Sequence, residues 1–397
     1  MIKEEAMPLS GVRVLEIGQI AAGPFAGSLL ADLGADVVKV ERPGSGDGLR
    51  DWPPFKENSE GEAFSENFAS LYRNKRSILI DFKKTDDIAR LKNLVAVCDV
   101  VLENFRPGVL SKLALGYQDL SVINPKLVYC SISGFGQTGP KSKKGAFDVT
   151  VQGFSGLMSV TGTQGGEPIK SGVPVGDFCA GLYAGYTILA RLIQARETGC
   201  GAHIDCSMLG GLLGVSALQT SEYFGTGVAP QALGSAHPRN APYQAFKASD
   251  NYFVVAAGND RLWHEVIEVT GLIKLKQDSR FTDQVLRAKN QQVLAKILQK
   301  EFEKRKATYW LQELDLRGVP CAEINSYPEV LQSEQIRHMG LVRNLKLPNG
   351  TETQTLAFPI SMTDFKFNIY RSPPKLGEHN DQVDREWLTT KESRGIG

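Results

Sequence analysis

None of the six cysteines, at 98, 130, 179, 200, 206 and 321, belongs to a CxxC pair, and most lie in apolar segments typical of buried reduced thiols. The chain is therefore expected in a reducing compartment: the cytosol, or the mitochondrial matrix if a presequence was removed. The five histidines (203, 237, 264, 338, 379) show no HxxxH or similar spacing, so no metal site is expected. Neither sign of charge is in excess. With 45 basic and 44 acidic residues the net charge is +1, which gives no reason to expect nucleic acid or an anionic membrane surface as partner. No apolar run approaches the roughly 18 to 20 residues that span a bilayer. The opening MIKEEAMPLSG is short and acidic, unlike a signal or transit peptide. Internal repeats and low-complexity segments are also missing.

What is present is an ordinary globular composition, 42% apolar and 22% charged, over 397 residues, enough for two or three domains. VRVLEIG (12–18), GPFAGSLLADLGA (23–35) and DVVKVER (36–42) read as strand, helix and strand. SILIDF (77–82), DDIARLKNLVAVC (86–98) and DVVLENF (99–105) repeat the pattern, and LVYCSISGFG (127–136) adds a strand ending in a glycine-rich loop. Such alternation predicts an α/β fold, with residues 1–200 forming a large, doubly wound, Rossmann-like domain on a parallel sheet. Small residues dominate 201–227, read as a linker with one helical piece. Residues 228–330 read as a smaller α+β domain, opening on two strands around the SDN turn of APYQAFKASDNYFVVAAG (241–258). Further strands follow in 331–397.

Glu41 ends the second strand where a ribose-binding acid would sit in a dinucleotide enzyme. The preceding loop is GQIAAGP (18–24), however, without the GxGxxG that lets backbone approach a pyrophosphate. ERPGSGDGLR (41–50) and LENFRPGVLSK (102–112) place glycines and basic residues at strand C-termini, a setting that suits an anionic phosphate. Solvated surface is the plain reading of each such cation taken singly. The most unusual acid is Asp177, set among small and apolar residues in PVGDFCAG ahead of a long helical pattern. An N-cap is the structural reading of that position. A nucleophile is compatible with it, since a helix N-terminus favours the carboxylate form.

At this point the chain resembles the class III CoA-transferases (the CaiB/BaiF family), which also include acyl-CoA racemases. The marks are PLSGVRVLEIGQIAAGPFAGSLLADLGADVVKVERPGSGD, NKRSILIDFK, LENFRPGVLSKLALGY, CSISGFGQTGP, PVGDFCAGLYA, HPRNAPYQAF and LGEHN, spread over nearly the whole length. GYQDLSVINPKLVYCSISGFGQTGP and YQAFKASDNYFVVAAGN look closest to the succinyl-CoA:glutarate CoA-transferase group, which handles dicarboxylic acids. The resemblance implies an interlocked homodimer in which the C-terminal tail returns to the large domain. It also implies no permanently bound cofactor: coenzyme A enters and leaves as part of substrate and product.

The resemblance further implies that Asp177 is the catalytic aspartate. Ile20, Ala21 and Ala22 then border the nucleotide and thioester, Arg42 lies near the CoA phosphates, and Ile80 with Lys83 forms an adenine-side pair. Asn104 and Phe105 match the ENF contact to CoA; Lys112 and Lys144 are basic positions in the same set. Lys112 stands where some members have arginine, which keeps the charge but loses a bidentate fork. Asp148 touches the pantetheine arm or the bound acid, or merely starts a helix. Arg239, in HPRNAPY, is the candidate cation for a distal substrate carboxylate, with a plain surface role as its alternative. Racemases of the family carry a histidine in a GHD segment, because moving an α-proton needs an acid and a base on opposite faces. Here that segment reads GAFDVTVQG and the slot holds Phe147, which carries no proton. A CoA-transferase is the expectation, a racemase the alternative, and a CoA-binding protein without chemistry a third reading that the intact aspartate disfavours.

Overall fold

The computed structural model describes residues 7–389. The first six residues, part of the N-terminal stretch read above, and 390–397 lie outside the described residues. Two compact units emerge: one from the residues up to Leu157, Ser171–Phe224 and Glu334 onward, the other from Met158–Lys170 and Gly225–Ser333.

The first unit begins with β1 (Arg13–Ile17), α1 (Ala22–Asp32) and β2 (Asp36–Glu41). A small hairpin, β3 (Phe55–Glu57) and β4 (Ala63–Ser65), leads into α2 (Glu66–Tyr72). Then come β5 (Lys75–Leu79), α3 (Thr85–Val95), β6 (Val100–Glu103), α4 (Tyr117–Ile123), β7 (Val128–Ser133), α5 (Asp148–Phe154), α6 (Val175–Thr198), β8 (Ala202–Ser207), α7 (Met208–Val215) and α8 (Ala217–Thr226). The six long strands form one parallel sheet in the order β5-β2-β1-β6-β7-β8. From β1 the chain builds one way through β2 and β5, then crosses back to build the other way from β6. The topological switch point therefore lies between β1 and β6, where open α/β sheets bind ligands.

Helices cover both faces. Val14, Val37, Val100 and Cys130 pack with α1, α6 and α7 on one side; Leu15, Val38, Val101 and Tyr129 pack with α3, α4 and the C-terminal helix on the other. Each fully buried aliphatic side chain contributes about 1.5–3 kcal/mol. Two glycines set the spacing of α1. A Cβ on Gly27 would overlap the Glu16 carboxylate, and one on Gly181 of α6 would stand 3.0 Å from the Ala22 carbonyl and 2.7 Å from the Phe25 ring. Helix α1 is thereby seated on the sheet and against α6 at once.

Two readings differ from this arrangement. Residues 202–207, assigned above to a linker, form β8, paired with β7 over six positions. The small-residue composition of the region comes from α7, where Gly211 lies against the Ala180 backbone, rather than from a loose connection. The fifth strand runs from Lys75 rather than Ser77. Its opening Lys75-Arg76-Ser77 looks solvent-facing in sequence, yet all three side chains are buried on Glu16, Asp36 and Glu41 respectively.

The second unit holds β9 (Tyr243–Lys247), β10 (Tyr252–Ala256), α9 (Asp260–Thr270), α10 (Gln284–Lys289), α11 (Gln291–Phe302), α12 (Ala307–Leu316), β11 (Cys321–Glu323) and α13 (Tyr327–Leu331). Its antiparallel sheet, β11-β10-β9, packs Phe246, Phe253 and Val255 against Trp263, Phe302 and Trp310. The chain then re-enters the first unit with α14 (Glu334–Met339), the hairpin β12 (Val342–Lys346) and β13 (Glu352–Leu356), and α15 (Asn380–Leu388). Helix α15 packs Val383 and Trp387 into the core beside the sheet. No helix among the described residues is long and apolar enough to cross a membrane.

Candidate active site

Asp177 is the third residue of α6, not its N-cap. Pro174 occupies the cap position and offers no side-chain hydrogen bond. The cap is supplied from elsewhere: Asp148, the first residue of α5, accepts the Gly176 N–H on Oδ1 at 2.7 Å. Its other oxygen accepts from Gln152 Nε2 at 2.5 Å, and Gln152, fully buried, takes the Ser171 N–H at 2.9 Å. Asp148 and Gln152 thus stitch α5 to the segment that launches α6. Of the roles considered for Asp148, helix starter is the one on view, and its carboxylate serves a second helix as well.

Freed from capping, the Asp177 carboxylate is half-buried and accepts no hydrogen bond from the described residues. Burial, reinforced by the nearby Asp148 charge, pushes its pKa up to about 6. The helix N-terminus acts the other way, but desolvation prevails here. Such a carboxylate is still mostly ionised near neutrality and is more basic than an ordinary aspartate, which favours attack on a carbonyl.

A Cβ on Gly181, one turn beyond Asp177, would lie 3.0 Å from the Ala22 carbonyl, which sets the start of α1 against the start of α6. The Phe25 and Phe178 rings are 4.7 Å apart, so the first turns of α1 and α6 are neighbours. Asn104, at the end of β6, bridges the switch point. Its Oδ1 accepts the Gln19 N–H and its Nδ2 donates to the Gln19 carbonyl, both at 2.8 Å. Asn104, expected as a CoA contact, has both ends of its side chain on protein backbone and keeps a second amide hydrogen. Ile20 and Ala21 are part-exposed while Ala22 is buried; among the described residues the N–H groups of Ala21, Ala22 and Gly23 have no acceptor.

The other candidates line the carboxyl edge of the same sheet. Arg42 is exposed after β2, donating to Ser45. Its companion Arg50 is spent on Glu41, with contacts of 2.6 and 2.8 Å, and on the Pro374 carbonyl. Glu41 also accepts from the Ser77 hydroxyl and the Asp47 N–H, so it is a structural ion and not a ribose acid. Lys83, Lys112 and Lys144 are exposed on the loops after β5, β6 and β7. Ile80 is 1% exposed, its side chain in the core, so only its backbone borders the edge. Phe105 is half-buried against Phe82, and its N–H is held by Glu103 at 2.8 Å. Burial pushes Glu103 up to about 7 despite its bond to Ser131. Phe147 is 73% exposed next to Asp148. Arg239 is exposed in the second unit, on a segment pinned where buried Arg287 donates to the Ala241 carbonyl.

Pattern reading missed Gln152, Glu103 and the buried ions Glu16, Lys39, Asp47 and Lys75. Lysines inside β-rich runs such as DVVKVE were the available signal, because a central parallel strand has no solvent face.

Residues 9–380 match the sequence pattern of CoA-transferase family III. The chain is 39% identical over 391 residues to succinyl-CoA:glutarate CoA-transferase of Homo sapiens, covering 98% of this chain and 88% of that protein. It is 40% identical to succinate–glutarate CoA-transferase of Agrobacterium fabrum, with 96% of each covered. In three dimensions it is similar to the crystal structure of a CaiB/BaiF family protein from Brucella suis, with a TM-score of 0.84 and 38% identity over 96% of this chain and 99% of that one.

Proposed function

The chain belongs to CoA-transferase family III, and from that premise we propose that it carries CoA from succinyl-CoA, or another dicarboxylyl-CoA, to a small free acid such as glutarate, with Asp177 as the covalent relay. The observation that carries this reading is the half-buried, unbonded Asp177 carboxylate at the start of α6, beside the unsatisfied N–H groups that open α1.

The ionised Asp177 attacks the thioester carbonyl of the donor. The C–S bond breaks, giving a mixed anhydride and CoA thiolate. The thiolate attacks the aspartyl carbonyl and expels the donor acid, leaving an aspartyl-CoA thioester. The acceptor carboxylate attacks that thioester and releases the thiolate again. Attack of the thiolate on the acceptor's acyl carbon then frees Asp177. Each step exchanges one acyl bond for another of similar energy, so the thioester is conserved while water is excluded. The N–H groups of Ala21, Ala22 and Gly23 are donors of the right kind for the successive oxyanions.

In this reading CoA lies along the carboxyl edge of the sheet, meeting Ile20, Ala21, Ala22, the Ile80 backbone, Phe105, and the cations Arg42, Lys83, Lys112 and Lys144. A homodimer is part of the proposal: α6 leaves Leu182, Tyr186 and Ile193 more than half exposed, an apolar stripe that a second copy covers. Phe147, where a racemase needs histidine, removes the second proton carrier and argues against α-proton exchange.

Incubating the protein with succinyl-CoA and a panel of free acids, and reading acyl-CoAs by mass, tests the assignment. New acyl-CoA with loss of succinyl-CoA is the expected result, abolished in Asp177→Ala with CoA binding retained. Deuterium uptake at the α-carbon without acyl exchange would replace it with racemisation.

A further inference from the structure

Four described residues other than glycine have positive φ: Ile20, Asn74, Ala114 and Asp364. Asn and Asp tolerate this region, but for a β-branched side chain it is an outlier that surrounding structure must impose. Ile20, at φ +67°, sits in the loop between β1 and α1.

The imposing groups are buried side chains reaching up from the sheet. Asp47, 1% exposed, accepts the Ile20 N–H on both carboxylate oxygens at 3.2 Å. The same carboxylate is held by the Leu49 N–H at 2.9 Å, the Tyr72 hydroxyl at 2.5 Å and Lys39 Nζ at 2.9 Å. Lys39 also donates to the Gly18 carbonyl, and Lys75 donates to the Pro24 carbonyl at 2.7 Å. Glu16 lies between the two lysines, 2.6 Å from Lys75 and 3.4 Å from Lys39. With Asn104 on Gln19, protein side chains occupy polar backbone groups of Gly18, Gln19, Ile20 and Pro24. Among the described residues, the N–H groups of Ala21, Ala22 and Gly23 are left without an acceptor.

We propose that Asp47 is a positioning residue for acyl transfer: by holding Ile20 in its left-handed conformation it fixes the turn that presents the first N–H groups of α1 beside Asp177. The inference rests on the reading of Asp177 as nucleophile and of those N–H groups as oxyanion donors. From this cluster of two lysines and two carboxylates, Asp47, Lys39 and Lys75 each bond to the backbone of that one loop or of the first turn of α1. Displacing catalytic donors by about 1 Å is enough to cost on the order of a hundredfold in rate.

The test is a double-mutant cycle between Asp47→Ala and Ile20→Gly, measured as kcat and KM with succinyl-CoA and glutarate as probes. Glycine adopts positive φ without help, so the turn no longer needs Asp47 to impose it. Asp47→Ala alone is expected to lower kcat by about a hundredfold, with KM for succinyl-CoA changed less than about threefold. In the Ile20→Gly background the same change is expected to cost less than about fivefold, a rescue that simple loss of stability does not produce. Equal losses in both backgrounds would overturn the proposal. Should Asp47→Ala fail to fold, Ile20→Pro supplies the second arm, because proline has no N–H and cannot take the turn. It is expected to lower kcat by at least the same factor while melting cooperatively, and undiminished kcat would overturn the proposal. Asp177→Ala is run alongside: activity there removes the nucleophile reading, whereas the Asp47–Ile20 coupling is judged on its own cycle.

Discussion

Asp148 accepts the Gly176 N–H at 2.7 Å, one residue ahead of Asp177, so the helix that carries the proposed nucleophile is capped by an acid from another helix. The arrangement does two things. It fixes the first turn of α6 without using Asp177, and it sets a negative charge near Asp177 that adds to burial in raising its proton affinity. A carboxylate tied up in its own cap would be both less basic and less free to attack.

The rate should follow the ionisation of Asp177. Only the carboxylate attacks, so kcat/KM is expected to fall about tenfold per pH unit below about pH 6. Asp148→Asn removes the neighbouring charge but keeps an oxygen for Gly176, and the acid limb should move to lower pH. A pH–rate profile of both proteins checks this; a limb that stays in place in the variant would show that Asp148 does not tune Asp177.

Stability should show the opposite trend. The folded-state pKa of Asp177 lies above its ordinary value of 3.8, so ionisation in the folded protein is disfavoured. Its carboxylate therefore costs stability above about pH 6, and the cost disappears as the pH falls below the unfolded value. Asp177→Asn is expected to melt at a higher temperature than the unaltered protein at about pH 8, with the difference closing at about pH 4. Thermal scans at the two pH values measure it.

Asn104 joins the loops after β1 and β6 through the Gln19 peptide. Asn104→Ala is expected to lower kcat about tenfold or more while changing CoA affinity less than about threefold. Steady-state kinetics together with calorimetric CoA titration separate the two quantities. A loss confined to CoA affinity would return Asn104 to the direct-contact role first expected of it.

Lys75 is fully buried between Glu16 and the Pro24 carbonyl. Among the described residues, Lys75→Met leaves the Glu16 carboxylate with only the 3.4 Å approach of Lys39, and a destabilisation of about 3–5 kcal/mol is expected by denaturant unfolding.

How much of this was legible in the chain depended on where each partner came from. The βαβ order, the hairpin around SDN and Asp177 itself were readable, because each rests on local pattern or on one conspicuous acid in an apolar segment. The cap on α6 was not, since Asp148 reaches Gly176 only after α5 and α6 have packed, and Asp177 inherited the role by default. Lys39, Lys75 and Arg76 were given no role from the sequence. Each is buried because an acid from another segment folds against it: Glu16 and Asp47, Glu16 again, and Asp36. The eighth strand hid for a related reason. Its neighbours are rich in glycine for close helix contact, which in one dimension resembles a linker.

The most direct test of the account is chemical trapping at residue 177. Hydroxylamine added during turnover with succinyl-CoA should convert the Asp177 side chain to a hydroxamate, found by peptide mapping at that position and absent without acyl-CoA. An unmodified Asp177 peptide recovered while acyl exchange proceeds at full rate would contradict a covalent aspartyl relay.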